Sequence, residues 1–180
     1  YCIKTNNELG VLQTIASLGS HAMAACPAEV QLAKPAGFTP DKVAYQSPLL
    51  LEEDVHAVLD EGICHFHTFR EEDLLLLDRI TEKRGTAIQV SLRVHYDPPG
   101  VRFSPLNFLS SRLGFKPADL MHAAAVCAAS DKLELRGINF YLGTQRHSVS
   151  SYQAPLSQVA SIAAALRQRH GIQIREINTG

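Results

Sequence analysis

The chain contains 180 residues, of which 46% are hydrophobic and 19% are charged. That length and composition suit one globular domain with a single core and exclude a disordered chain. The 17 basic and 18 acidic side chains leave a formal net charge of −1, which gives no electrostatic footprint for nucleic acid or an anionic membrane. The longest apolar runs fall well short of the roughly 20 residues that span a bilayer. We therefore expect neither a nucleic-acid partner nor a membrane partner.

The four cysteines, Cys2, Cys26, Cys64 and Cys127, are scattered without a short Cys-x-x-Cys pairing. This spacing indicates neither a zinc knuckle nor a disulfide framework. We expect buried free thiols in a reducing compartment, the cytoplasm. The chain also starts on an apolar run without an initiator Met, which is typical of a segment from inside a larger protein.

Short β-type runs alternate with longer amphipathic runs at a spacing of roughly 25 residues, the pattern of repeated βα units around a parallel sheet. The predicted strands cover residues 1–4, 21–26, 42–46, 63–69, 86–95, 133–142 and 171–178. The predicted helices cover residues 8–18, 27–36, 51–61, 71–83, 117–129 and 155–170. Residues 96–113 contain Asp-Pro-Pro-Gly and no helical period, which predicts a long loop after the fifth strand.

Repeated βα units either close into a (β/α)8 barrel or stay an open, doubly wound sheet. No Gly-x-Gly-x-x-Gly follows the first strand and no P-loop motif occurs in the chain, which weakens the nucleotide-binding open sheet. We therefore predict an α/β fold of the (β/α)8 TIM-barrel type. Seven strands fall short of closure and barrels take about 250 residues, so we expect the barrel to be incomplete at the C-terminus of this chain.

Lys4 stands at the end of the first predicted strand, where alternation places it on one face with Cys2. A charged ammonium in a barrel mouth loses hydration, and the uncharged amine is the form that attacks an aldehyde to give a Schiff base. A lysine at a strand end can equally just reach water. The position alone leaves both interpretations open.

Two further candidate site residues lie near the ends of later predicted strands. Arg93 is flanked by Leu92 and Val94, so we expect it to point inward, where it needs an anionic partner that is either a barrel carboxylate or a ligand. Tyr141 is expected to face inward with Asn139, where its ring fills the barrel.

Gly143, Thr144 and Gly180 closely follow the last two predicted strands, where glycines are common in plain turns. Glu29 opens a helix, where the helix dipole favours a carboxylate whatever its function.

His65 and His67 share a face of the fourth predicted strand and could coordinate a divalent metal. Metal-dependent amidohydrolases carry such a pair on the first barrel strand, with further ligands on later strands. We therefore prefer barrel-lining histidines to a metal-dependent hydrolase, and we predict no metal.

Residues 1–12, Tyr-Cys-Ile-Lys-Thr-Asn-Asn-Glu-Leu-Gly-Val-Leu, resemble the Tyr-Ala-(Val/Ile)-Lys-Ala-Asn motif of the fold-type III pyridoxal-phosphate enzymes. The nearest group is the ornithine/diaminopimelate/arginine decarboxylases, and the similarity continues in the same order along essentially the whole chain. The other matching segments are residues 25–29 (a turn into a helix, Ser-x-x-Glu in the family), 91–94 (Leu-Arg-(Val/Ile)), 111–115 (Ser-Lys-Phe-Gly), 141–145 (His-(Ile/Val)-Gly-Ser-Gln) and 177–180 (the approach to Gly-Gly-Gly).

The resemblance implies that residues 1–180 form an alanine-racemase-like, pyridoxal-phosphate-binding barrel domain, with the last strand and a C-terminal β-domain outside the chain. It implies decarboxylation of a basic or dibasic amino acid (ornithine, lysine, arginine or diaminopimelate) by a homodimer that uses pyridoxal 5′-phosphate. The residues implied to bind the cofactor are Lys4, which is also catalytic, Arg93, Tyr141, Gly143, Thr144 and Gly180, with Glu29 and Asn139 nearby.

Two positions depart from the decarboxylases: Met23 replaces a common aspartate, and Tyr141 replaces the ring-stacking histidine. Arg112 is also similar to the arginine in the Asn-Arg-Leu-Gly stretch of alanine racemases. Racemases, however, continue the lysine motif with Ala-Tyr-Gly-His, whereas this chain continues with Asn-Glu-Leu-Gly. A decarboxylase is therefore preferred, and an amino-acid racemase or a catalytically silent decarboxylase-like regulator are the alternatives.

Overall fold

The computed structural model describes residues 1–96, 113–143 and 148–180. Six parallel strands form one sheet in chain order. The strands are β1 (Ala22–Ala24), β2 (Val43–Tyr45), β3 (His65–Thr68), β4 (Ile88–Arg93), β5 (Leu133–Asn139) and β6 (Glu176–Asn178). The helices are α1 (Leu9–Ser17), which precedes β1, and then α2 (Pro27–Ala33), α3 (Glu52–Asp60), α4 (Glu71–Arg84), α5 (Pro117–Ala129) and α6 (Gln153–His170).

Side-chain alternation divides the sheet into an apolar face and a polar face. In β4, Ile88, Val90 and Leu92 belong to the hydrophobic core, so the residues between them project to the opposite face. The core residues of β1 and β2 follow the same rule, and those of β5 (Leu133, Leu135 and Ile138) follow it on either side of an irregularity in that strand. The opposite, inner face carries most of the polar side chains of the strands.

The sheet curls around this inner face. The side-chain amide of Gln46, next to β2, donates a hydrogen bond to Asn139 Oδ1 at the end of β5, over 3.4 Å. In a flat sheet, three strand spacings would separate these positions by about 14 Å. The parallel strand order and the curl confirm the predicted barrel type of α/β fold, and the described strands form a half-barrel.

At the start of helices α2 and α4, an acidic side chain of the first turn accepts a hydrogen bond from a backbone N–H that lies just before the helix. Glu29, in the first turn of α2, accepts a hydrogen bond from the Ala25 backbone N–H over 2.8 Å. Asp73, in the first turn of α4, accepts one from the Phe69 N–H over 3.2 Å. Each carboxylate satisfies a donor just before the helix and also suits the positive end of the helix dipole.

The first predicted strand, residues 1–4, is wrong. Only Cys2 pairs with the sheet, through a single parallel bridge to Met23. The Thr5 N–H then bonds the Cys2 carbonyl over 3.1 Å, which closes the 3-10 helix Ile3–Thr5. The tight turn therefore takes the place of extended pairing after Cys2.

Other expectations from the sequence have mixed outcomes in the structure. The last predicted strand, residues 171–178, contracts to β6, and the predicted loop lies almost wholly outside the described residues. All four cysteines are free, as expected, but only Cys127 is buried, and Cys26 is exposed. Among the described residues, no helix has the length and apolar character needed to cross a membrane.

Candidate functional site

The carboxyl ends of the parallel strands bring several polar side chains to one edge of the sheet, which is the edge where barrel active sites are built. Arg93 and Asn139 are the last residues of β4 and β5, and the strand register pairs them directly. Asn139 pairs in turn with Asn178, the last residue of β6. Tyr141 and Gly180 each follow two residues later.

Arg93 is a buried cation, with only 9% of its surface exposed. Its guanidinium carbon lies 5.3 Å from the ring centroid of Phe69 and 5.4 Å from that of Tyr141. Its Nε has no hydrogen-bond partner, and no carboxylate among the described residues forms an ion pair with it. Burial lowers the pKa of the guanidinium from its ordinary value, although an arginine stays charged at neutral pH. Such a group favours an anionic ligand.

A hydrogen-bond chain orders the ends of β5 and β6. The Asn139 side-chain amide donates to Asn178 Oδ1 over 3.0 Å, and the Gly180 N–H donates to the same oxygen over 2.9 Å. Asn139 is buried, so its fully used side chain fixes the geometry of this edge. The Gly180 N–H is therefore already satisfied within the protein.

The backbone of Gly180 passes close against the ring of Tyr141. A Cβ atom at Gly180 would lie 2.6 Å from Tyr141 Cδ2, and φ at this residue is +91°. Both observations require glycine. Gly143 also has a positive φ, of +105°. Thr144, the predicted phosphate hydroxyl, lies outside the described residues, as does Arg112.

Lys4 lies in the 3-10 helix, two residues beyond the bridge between Cys2 and Met23. Because the chain runs parallel to β1 at that bridge, Lys4 is on the side of the carboxyl ends. Its side chain is exposed. No described carboxylate pairs with it, so its amine is accessible.

Glu29 opens α2, as predicted, and its carboxylate bonds the Ala25 N–H. That contact supports the helix-start interpretation of this residue. Its place near a cofactor or substrate stays a prediction.

His65 and His67 line the inner face of β3, with ring centroids 5.0 Å apart. His65 Nε2 lies 2.9 Å from Ser91 Oγ. Burial, with the nearby His65 and Arg93 adding to it, lowers the pKa of His67 to about 3. Burial also lowers the pKa of His65. Both rings are therefore neutral imidazoles at neutral pH.

The structure thus gathers Arg93, Asn139, Tyr141 and Gly180 at one edge and places Lys4 on the same side of the sheet. Sequence reasoning missed the polar residues Gln46, Arg136, Glu176 and Asn178. Asn178 could have been found from alternation, since it is the last residue of the predicted strand and lies two residues before Gly180.

Over residues 1–180 the chain matches the family model described as the pyridoxal-dependent decarboxylase, pyridoxal binding domain. The chain belongs to this family, and the resemblance seen in its sequence is confirmed. The predicted pyridoxal cofactor agrees with the description of the family.

Among curated relatives, the chain is 24% identical over 182 residues to the diaminopimelate decarboxylase of Aquifex aeolicus, covering 100% of this chain and 43% of that protein. It is 27% identical over 187 residues to the diaminopimelate decarboxylase of Pseudomonas aeruginosa, covering 100% of this chain and 44% of that protein. The chain therefore spans less than half the length of these relatives.

Among solved structures, the diaminopimelate decarboxylase of Helicobacter pylori, complexed with L-lysine, superposes with a TM-score of 0.86. The sequence identity is 21%, and the match covers 98% of this chain and 45% of that one. This likeness supports the alanine-racemase-like barrel fold.

Proposed function

We propose that the protein carrying this chain decarboxylates a basic or dibasic amino acid, of the ornithine, lysine, arginine or diaminopimelate class, with pyridoxal 5′-phosphate as its cofactor. The observation that carries the proposal is the buried Arg93, which has no carboxylate partner among the described residues. A cofactor with phosphate and phenolate oxygens supplies the negative charge that this guanidinium lacks.

The residues at the carboxyl edge fit such a cofactor. Lys4 offers an accessible amine that would bind its aldehyde carbon covalently. Gly143 and Thr144 would face the phosphate, and Tyr141 would lie against the ring. Gly180 contributes the absence of a side chain rather than its N–H, because that N–H already bonds Asn178.

When bound, the cofactor withdraws electrons from the bond that breaks at the α-carbon of the substrate. Lys4 Nζ would hold and deliver a proton near that carbon. Arg93 holds an anionic oxygen, and the ring of Tyr141 keeps water from one face. Met23 replaces a carboxylate with a thioether, so position 23 takes part in no proton transfer.

The substrate class is supported by relatives named diaminopimelate decarboxylase and by a similar structure whose complex contains L-lysine. These relatives favour decarboxylation over racemisation and over metal-dependent hydrolysis. The domain assignment belongs to the same proposal: residues 1–180 form the cofactor-binding barrel domain, while the last barrel strand and a C-terminal β-domain lie outside them. The protein acts as a homodimer in the cytoplasm, an assignment that rests on the family resemblance.

The test offers the full-length protein, loaded with cofactor, L-ornithine, L-lysine, L-arginine and diaminopimelate, and measures carbon dioxide release. We expect release from at least one of them, and Lys4→Ala should lower kcat by about a thousandfold or more. The matched control is Lys83→Ala, an exposed lysine on α4, which should keep wild-type turnover. Inversion of the α-carbon without carbon dioxide would show a racemase instead. Absence of turnover together with tight binding to a related decarboxylase would show a regulator.

A further inference from the structure

Three metal-ligating side chains meet on the inner face of the half-barrel, and none of them is among the residues of the candidate cofactor site. His65 and His67 come from β3 and Glu176 comes from β6, and their donor atoms all lie within 4.8 Å of one another. The two histidines share a face because they are two residues apart in a strand. The curl of the sheet brings the glutamate across to them.

His67 is the unusual member of this group. Only 2% of its surface is exposed, yet neither ring nitrogen has a hydrogen-bond partner. Buried polar groups in native proteins are almost always satisfied. A neutral imidazole with an unused nitrogen at this depth is suited to a ligand that the protein chain itself does not provide.

The other two ligands are held in place by neighbouring side chains. His65 Nε2 lies 2.9 Å from Ser91 Oγ. The carboxylate of Glu176 lies 3.3 Å from Arg136 Nε, and Arg136 in turn donates to Gln89 Oε1 over 2.5 Å. Because a carboxylate has two oxygens, Glu176 can keep Arg136 on one of them and present the other to a metal. Such supporting contacts are typical of protein metal sites.

The group has a route to solvent at the end of the barrel opposite Lys4. A cleft of about 520 Å³ opens at the amino-terminal ends of β3, β4 and β5, and its lining includes Cys64, His65, Gln89 and Arg136. An ion can therefore reach His65 without passing the carboxyl edge of the sheet.

We infer that His65, His67 and Glu176 bind one divalent transition-metal ion of the zinc type. Two imidazoles and one carboxylate form a ligand set that binds zinc and leaves a coordination position open. With metal–ligand bonds of about 2.1 Å, the donor atoms approach to roughly 3.4 Å of one another, a contraction that side-chain rotation of His65 and Glu176 can provide. The two histidines alone predict no metal site; the third ligand becomes visible only in the fold.

The experiment uses the full-length protein, stripped with a chelator and then dialysed against Zn²⁺ in a phosphate-free buffer at neutral pH. We expect one zinc per chain by atomic absorption. His67→Asn and Glu176→Gln should each lower the zinc affinity at least tenfold. The matched control is His122→Asn, because His122 is an exposed histidine 3.2 Å from the carboxylate of Glu71 and should bind no zinc of its own.

Glu176→Gln keeps the size and the partial exposure of the side chain, so it separates loss of a ligand from loss of folding, which circular dichroism monitors. Co²⁺ replaces zinc as a spectroscopic probe, and its visible d–d absorption should appear in the wild type and vanish in Glu176→Gln. Lys4→Ala should retain the metal, because Lys4 lies at the opposite end, so this test does not depend on the proposed decarboxylase. Absence of retained zinc in the wild type, or zinc binding that neither His67→Asn nor Glu176→Gln weakens, would overturn the inference.

Discussion

The guanidinium of Arg93 lies against the ring of Tyr141, with 5.4 Å between the guanidinium carbon and the ring centroid. A cation over an aromatic face gains some stabilisation, but much less than it loses by leaving water without a counter-ion. The described part of the chain places no carboxylate against Arg93. The buried charge of Arg93 therefore lowers the stability of the ligand-free fold, and an anionic ligand offsets that loss.

Arg93→Met should change stability and cofactor binding in opposite directions. Removing an uncompensated buried charge should raise the free energy of unfolding of the cofactor-free protein by about 1 kcal/mol or more. Losing charge-assisted hydrogen bonds of about 1.5–3 kcal/mol should weaken pyridoxal-phosphate binding by roughly 10- to 100-fold. Urea denaturation and a spectroscopic cofactor titration measure the two effects. Arg93→Lys, which keeps the charge but loses the planar guanidinium, should fall between the wild type and Arg93→Met in affinity. A less stable Arg93→Met protein with unchanged affinity would contradict the assignment.

Gly180→Ala should disturb the candidate site through Tyr141. The new Cβ would lie 2.6 Å from Tyr141 Cδ2, so the ring must move or the backbone must shift. We expect at least a tenfold loss of cofactor affinity by spectroscopic titration. Gly19→Ala is the control, because Gly19 has a similar φ of +78° but a Cβ atom added there would meet nothing within 4 Å. Gly19→Ala should lower stability slightly through backbone strain and leave cofactor affinity unchanged. Equal effects of the two substitutions on affinity would show that the contact with Tyr141 is irrelevant.

Glu29→Ala should destabilise the protein by about 1 kcal/mol, because the Ala25 N–H loses its acceptor at the start of α2. Glu29→Gln keeps a carbonyl oxygen at the same reach and should recover most of that loss. Turnover by the full-length protein should be close to wild type in Glu29→Gln, since the carboxylate serves the helix. A fall in kcat of tenfold or more in Glu29→Gln, at unchanged stability, would assign Glu29 to the reaction instead.

The sequence predicts the helices well because the residue types that begin and end them are distinctive. Helix α4 starts with an acidic first turn and ends at Gly85, which has the left-handed conformation with φ of +67°. Both signals are local in the sequence. The polar inner face is harder to predict. If side chains alternated without interruption back from Tyr141 and Asn139, Arg136 would point outward. A bulge in β5, opposite Val90 and Ser91, inserts one extra residue and breaks this alternation. The bulge turns Arg136 inward to Glu176.

The candidate site likewise has some features that the sequence predicts and others that it does not. Alternation along single strands correctly places Arg93 and Asn139 on the inner face. The position of Glu176 beside His65 and His67 depends on the curl of the sheet between β3 and β6, and the 3-10 helix at Lys4 begins directly after the single bridge between Cys2 and Met23. Both are tertiary effects that a pattern within one segment does not contain.

Cys127 should make the protein less stable at alkaline pH. Its side chain is on α5 with 2% of the residue exposed, and burial, helped by the charge of Asp78, raises the pKa of the thiol from 9.0 to about 12. Because the folded pKa lies above the unfolded one, the stabilisation is complete below pH 9 and is lost as the pH rises toward 12. At pH 10 the loss from this group is about 1.4 kcal/mol relative to pH 7. Urea denaturation of the wild type and of Cys127→Ala at both pH values measures it.

Cys127→Ala also removes a buried sulfur atom, but the resulting loss of packing is the same at pH 7 and at pH 10. The decisive quantity is therefore the difference in unfolding free energy between the two pH values, which should be smaller in Cys127→Ala than in the wild type by about 1.4 kcal/mol. Cys26→Ala is the control, because Cys26 is exposed and its replacement should leave that difference at the wild-type value. An identical pH dependence in Cys127→Ala and the wild type would mean that the thiol of Cys127 is not held protonated by its buried position.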